Sequence, residues 1–214
     1  MPVEVVAYML SDQNINRRLQ FQLILQCAPL LKGIKVACIT NLARRHCRML
    51  GGILKGTGIT YRMLAVREER CLVILFREKE MERYLMGKEI REFLKEFGYI
   101  LTEENDGHAC EPYPDLDRVF GRLAERIGEA SRRNLCFPHE IGVFLDYPIE
   151  DVRGFIENGG QECLLAGYWK VYHNRERAQM TFLAYDQAKT SAVNEFLTGK
   201  SIQDIVYRPA FHVA

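Results

Sequence analysis

The chain has 214 residues, of which 48% are hydrophobic and 27% charged, with a formal net charge of +1. That balance excludes a disordered, collagen-like or low-complexity chain and fits a globular fold with one sizeable core. A net charge so close to zero gives no overall electrostatic argument for nucleic acid or a membrane surface.

In chain order, residues 1–10 contain Glu4 and no Lys or Arg, unlike a secretory signal. No window reaches the ~20 apolar residues of a spanning helix, so a cytoplasmic protein without membrane partners is expected. Residues 14–26 read as a helix, with Ile15, Leu19, Leu23 and Cys27 on one stripe and Ala28-Pro29 as its stop. A strand over 35–40 and a short helix from Asn41 to about Leu50 follow. The Gly-rich stretch 51–58 has Lys55 and Thr57 outside the order of a Walker loop. It reads as a flexible connection, or else as an anion nest helped by Arg44, Arg45, His46, Arg48 and Lys55.

Residues 59–67 and 70–77, parted by Glu68-Glu69, read as an antiparallel hairpin. The unbroken apolar run 71–76 points to a strand buried on both faces. Helices are expected over 78–86 and 88–97, the second ended by Gly98. Residues 102–115 form an acidic, Pro-containing loop and a candidate boundary between sub-lobes 1–101 and 115–214 of a single domain. Asp115 caps a helix with Leu116, Val119, Phe120, Leu123 and Ile127 inward. Pro138 and Pro148 each begin a helix, giving a helical hairpin near 138–158. Residues 163–172 read as a strand, Asn174 as the cap of another helix, and Ser201 with Asp204 as a capping box. The sum is an α+β fold: about eight helices on a small, mostly antiparallel sheet of three to four strands.

Charge and cysteine are unevenly informative. Residues 1–62 hold nine Lys or Arg and two acids, whereas 63–163 hold fourteen basic and twenty-two acidic side chains. Either the two regions neutralise one another or the first carries an anion site. The seven cysteines are odd in number and lack any C-x-x-C, so seven free thiols are expected. Cys27 is a candidate nucleophile, although the C-terminal end of a helix opposes a thiolate. His139-Glu140 lacks the second His of a zinc-protease helix, since position 143 is Val. His139 stays a candidate acid–base group, and Glu140 fits the first turn of a helix. His108 with Cys110, and Cys38, His46 and Cys47, lack zinc spacing, so no metal site is assigned and no cofactor is named.

A helix-turn-helix outline over 138–159 shows Glu150, Asp151 and Glu157 against Arg153 alone, a face that phosphates repel. On strand 163–172, alternation places Tyr168, Lys170 and Tyr172 on one face and Trp169 on the other. The words 137–145, 147–156 and 167–172, with Cys27-Ala28-Pro29 and Gly33-Ile34-Lys35 upstream, resemble the bacterial domain-of-unknown-function family numbered 3793. The resemblance spans nearly the whole chain. It implies a cytoplasmic bacterial protein and no particular activity.

Three functions follow as expectations. The leading one is binding of a small anionic ligand or a protein partner, with segments 27–35, 138–140 and 168–172 converging on one pocket. Lys35, Glu140, Tyr168, Lys170 and Tyr172 are its candidate ligand contacts. The second is an enzyme using Cys27 or His139 on a small molecule, with or without a metal. Nucleic-acid binding through the 138–158 hairpin ranks last.

Overall fold

The computed structural model describes residues 3–101 and 114–207. Two helices come first, α1 (Val3–Leu10) and α2 (Ile15–Leu31). The Asn14 side chain accepts the Arg17 amide and satisfies a free N–H of the first turn of α2. The Leu19, Leu23 and Cys27 stripe is buried. The helix runs past Ala28-Pro29, however. Pro29 sits in its final turns, where its missing N–H forfeits a single bond, and its carbonyl accepts the amides of Ile34 and Lys35.

β1 (Ala37–Ala43) is followed by two one-turn helices, α3 (Arg44–Cys47) and α4 (Leu50–Leu54). Gly51 and Gly52 are therefore helical rather than part of a flexible connection. Burial of Leu50, Ile53 and Leu54 outweighs the poor helix propensity of glycine. β2 (Thr60–Arg67) and β3 (Arg70–Phe76) form the hairpin, turning at Glu68 with φ 47°. β1 pairs antiparallel with the other side of β3, giving the order β1-β3-β2. The central strand sends Cys71, Val73 and Leu75 into one apolar cluster, and Ile74 and Phe76 into a second. Both its faces are covered, which is why its sequence is continuously apolar.

α5 (Glu78–Leu85), α6 (Lys88–Glu96) and α7 (Leu116–Arg133) contribute to the second cluster. Asp115 accepts the amides of Asp117 and Arg118 at the start of α7. Next come α8 (Ile141–Phe144) and α9 (Ile149–Glu157). The expected helix from Pro138 is a single turn. The expected strand 163–172 is instead a small hairpin, β4 (Leu165–Ala166) against β5 (Lys170–Val171). α10 (Arg175–Leu197) starts on Asn174 and packs along α2, and α11 (Ile202–Ile205) carries the capping box. The architecture is α+β. Among the described residues it has eleven helices rather than eight, because α3, α4, α8 and α11 are pieces of four or five residues.

Each large apolar cluster draws on both halves of the chain: Phe21 with Phe196 in one, Phe76 with Phe120 and Phe144 in the other. Cys27 in α2 and Cys38 in β1 form a disulfide, with Cα atoms 5.8 Å apart. This corrects the expectation of seven free thiols. An odd count and absent motifs do not register two cysteines that turn into one core from adjoining elements. Cys47, Cys71, Cys136 and Cys163 are free. Cys110, His108 and most of the acidic loop lie outside the described residues. No helix among the described residues is long and apolar enough to cross a membrane.

Candidate functional site

The region from α8 to β5 is a tight corner built on glycines and one buried acid. A Cβ at Gly142 would lie 2.8 Å from Val152 Cγ2, and one at Gly154 would lie 2.5 Å from Tyr172 Cβ. Glycine therefore lets α8 meet α9, and α9 meet the residue after β5, at backbone range. Asp151, 3% exposed, binds the β4–β5 hairpin to α9. Its Oδ1 accepts the amides of Tyr172 (2.7 Å) and His173 (2.9 Å), and its Oδ2 accepts the Trp169 indole N–H (2.7 Å). Three donors on one carboxylate satisfy a charge that burial would otherwise penalise heavily.

Between α8, α9 and this hairpin lies a cavity of about 360 Å³. Its wall is mostly apolar and aromatic. Tyr147 stacks on Trp169 at 5.0 Å, and His139 meets Phe155 edge-on at 4.7 Å. Lys170 is the one lysine or arginine in the lining. Its Nζ donates to the Gly160 carbonyl and lies 5.9 Å from the Phe155 ring centre. No carboxylate among the described residues pairs with it. Its charge is thus held in place without being neutralised.

The expected convergence is partly realised. His139 and Lys170 line one cavity, so segments 138–140 and 168–172 meet. The third segment reaches it only through Tyr147. Lys35, 9% exposed, places its ammonium 4.7 Å from the centre of the Tyr147 ring and 5.6 Å from that of Tyr185. Burial lowers the Lys35 pKa to about 8, against the pull of Asp146. Burial likewise raises Asp146, against Lys35. For both groups desolvation outweighs their mutual attraction.

The remaining candidates stand elsewhere. Glu140 is 1% exposed, receives the Arg126 guanidinium and accepts the Tyr99 hydroxyl at 3.2 Å, which makes it a buried anchor of α7. Cys27 is fully buried with its sulfur bonded to Cys38, so it offers no thiolate in this state. Tyr168 donates to Asp186 Oδ1 at 2.8 Å and packs on Phe182 and Tyr185. Tyr172 lies over Gly154, and its hydroxyl is buried without a hydrogen-bond partner among the described residues. Tyr168, Lys170 and Tyr172 do not share one strand face, because the chain turns between β4 and β5. Arg153, the lone base of the helix-turn-helix outline, is paired with Glu96 at 2.5 and 3.1 Å.

Sequence reasoning missed Asp151, Tyr147 and Phe155. The sequence reads Asp151 as an outer-face acid, yet it precedes Phe155, which lines the same cavity, by four positions, the spacing of one helical stripe. Among the described residues, no three His, Cys, Asp or Glu side chains are grouped so as to hold a metal ion.

The model of the family described as "Protein of unknown function (DUF3793)" matches residues 23–206, a span that contains every element of the cavity. Neither the curated proteins nor the solved structures contain a match to the chain.

Proposed function

The chain belongs to the DUF3793 family, and from the cavity between α8, α9 and the β4–β5 hairpin we propose that it binds a small anionic molecule with a flat apolar body. The observation that carries this reading is the aromatic cavity of about 360 Å³ with the unneutralised Lys170 in its wall. A mostly apolar concavity with few polar groups is the usual form of a small-molecule site, and about 300 Å³ is enough to enclose a small ring compound. Tyr147, Trp169 and Phe155 offer flat surface to that ring. Asp151 also faces the cavity, but its oxygens already accept three N–H donors, which blunts its repulsion of an acid. A concavity of this volume suits a small molecule better than a protein partner.

Calorimetric titration with arylcarboxylates from phenylacetate upward, each beside its neutral amide, tests the reading. We expect each acid that binds to do so about tenfold more tightly than its amide, a charge-assisted gain of about 1.4 kcal/mol. Lys170→Ala should erase that preference while leaving the melting temperature nearly unchanged. Equal affinity for acid and amide, or an undiminished preference in Lys170→Ala, overturns the reading.

A further inference from the structure

A second site is marked by charge at the corner where β1 ends, α3 begins and β2 turns into β3. Arg67 and Arg70 stand directly opposite one another across the β2–β3 pair. Like charges in that register weaken a sheet, so the hairpin itself gains nothing from them. Arg70 is anchored: its Nε donates to Asn41 Oδ1 at 3.2 Å and its Nη2 to the Asn41 carbonyl at 2.8 Å. Among the described residues, Nη1 of this fixed guanidinium has no hydrogen-bond partner. No ion pair joins Arg44, Arg45, Arg67 or Arg70 to an acid among the described residues, although Glu68 and Glu69 form the intervening turn.

His46 in α3 lies within range of the Arg70 charge. It is 8% exposed, and its Nε2 is buried with no hydrogen-bond partner among the described residues. Buried polar atoms are nearly always paired, so an orphan calls for an explanation. Burial, and after it the charges of Arg45, Arg18 and Arg70, lower its pKa. At the turn end of β2 and β3 opens a pocket of about 190 Å³, lined by Asn41, Arg67 and Arg70 together with Leu72 and Phe137. Phe137 is 43% exposed. No carboxylate among the described residues lines the pocket.

We propose that this corner binds a phosphorylated small molecule, with the phosphoryl group on Arg67 and Arg70 and one ring in the pocket against Phe137 and Leu72. Arginine suits this role because its planar fork meets two phosphate oxygens at once. The pocket holds about one ring, which places the phosphate at its mouth, among the arginines. The basic surplus of residues 1–62 then has a local use beyond neutralising the acidic stretch that follows. The site shares no residue with the cavity lined by Lys170 and does not depend on it.

The probes are phenyl phosphate, phenol, inorganic phosphate and a mixed-sequence single-stranded DNA, titrated calorimetrically at low and high salt. Phenyl phosphate should bind at least tenfold more tightly than phenol or inorganic phosphate. In a Lys170→Ala background, which silences the other cavity, Arg70→Gln should still lose at least tenfold in affinity. Arg67→Gln should weaken binding yet raise the melting temperature by relieving the like-charge pair, which separates loss of the site from loss of the fold. No saturable binding of phenyl phosphate, or binding untouched by both arginine variants, overturns the proposal. Inorganic phosphate binding as tightly as phenyl phosphate also overturns it, leaving a bare ion site. DNA binding with a steep salt dependence in the absence of phenyl phosphate binding overturns it in favour of a polyanion.

Discussion

The side of the sheet closed by α2 and α10 and the corner built by α8, α9 and β4–β5 are held together by different forces. The first is apolar packing: Phe21, Leu23, Val73, Leu75 and Phe196 interlock, and the Cys27–Cys38 disulfide ties α2 to β1. The second buries charge. Glu140 joins α8 to α7 through Arg126, Asp151 joins α9 to the hairpin, and Lys35 with Asp146 lies behind Tyr147. Apolar packing is non-directional and yields a stable layer. A carboxylate meeting three donors fixes orientation as well as distance, and so can hold a cavity open with its aromatic walls in set positions.

If that contrast is right, the largest effect belongs to Asp151. Asp151→Ala leaves three donors unpaired and should cost about 5 kcal/mol, seen as a fall in the urea midpoint. Asp151→Asn should not rescue it, because the amide nitrogen would face an N–H donor in either orientation. Ile74→Ala, in the central strand, should cost about 4 kcal/mol through the void it leaves. The two variants should differ in kind: Ile74→Ala lowers stability but keeps ligand binding, whereas Asp151→Asn lowers both.

Lys35 sharpens the comparison through pH. Its pKa falls from 10.5 unfolded to about 8 folded, so between those values the unfolded chain holds a proton that the folded chain has released. Stability should therefore rise with pH across that window, with the penalty fully present below it, by about 3 kcal/mol in all. Lys35→Met should flatten the rise in urea midpoints. A parallel rise in wild type and variant would show that Lys35 is not the group responsible. The smallest effect belongs to the rim of the apolar side, where Lys32 is the main cause that lowers Glu195 from 4.5 to about 2. Its contribution is present above 4.5 and lost as pH falls toward 2. Glu195→Gln should therefore reduce stability near neutrality by under about 1 kcal/mol, with the difference vanishing in acid.

The sequence made the apolar side far more legible than the charged corner. The 59–77 hairpin, the Asp115 and Asn174 caps and the Ser201–Asp204 box rest on local rules, a period of two or a side chain reaching its own helix start. Where neighbours decide, reading failed. Pro29 stays helical because its carbonyl is used, Gly51-Gly52 because Leu50, Ile53 and Leu54 are buried, and residues 163–172 fold back because Asp151 gathers the amides after β5. The site followed the same division. His139 and Lys170 stood out as polar groups in apolar words, and both line the cavity. Asp151 was hidden because its partners lie 18 to 22 residues away.

Trp169 is the sole tryptophan of the chain and forms part of the cavity wall. Its fluorescence therefore reports the proposed site without a label. Titrating phenylacetate and phenylacetamide while following this emission tests the binding claim most directly. A saturable change with the acid, at least tenfold weaker with the amide and lost in Lys170→Ala, is the expected result. A change that the two compounds share equally, or that survives Lys170→Ala unaltered, would contradict the assignment of the cavity to an anionic ligand.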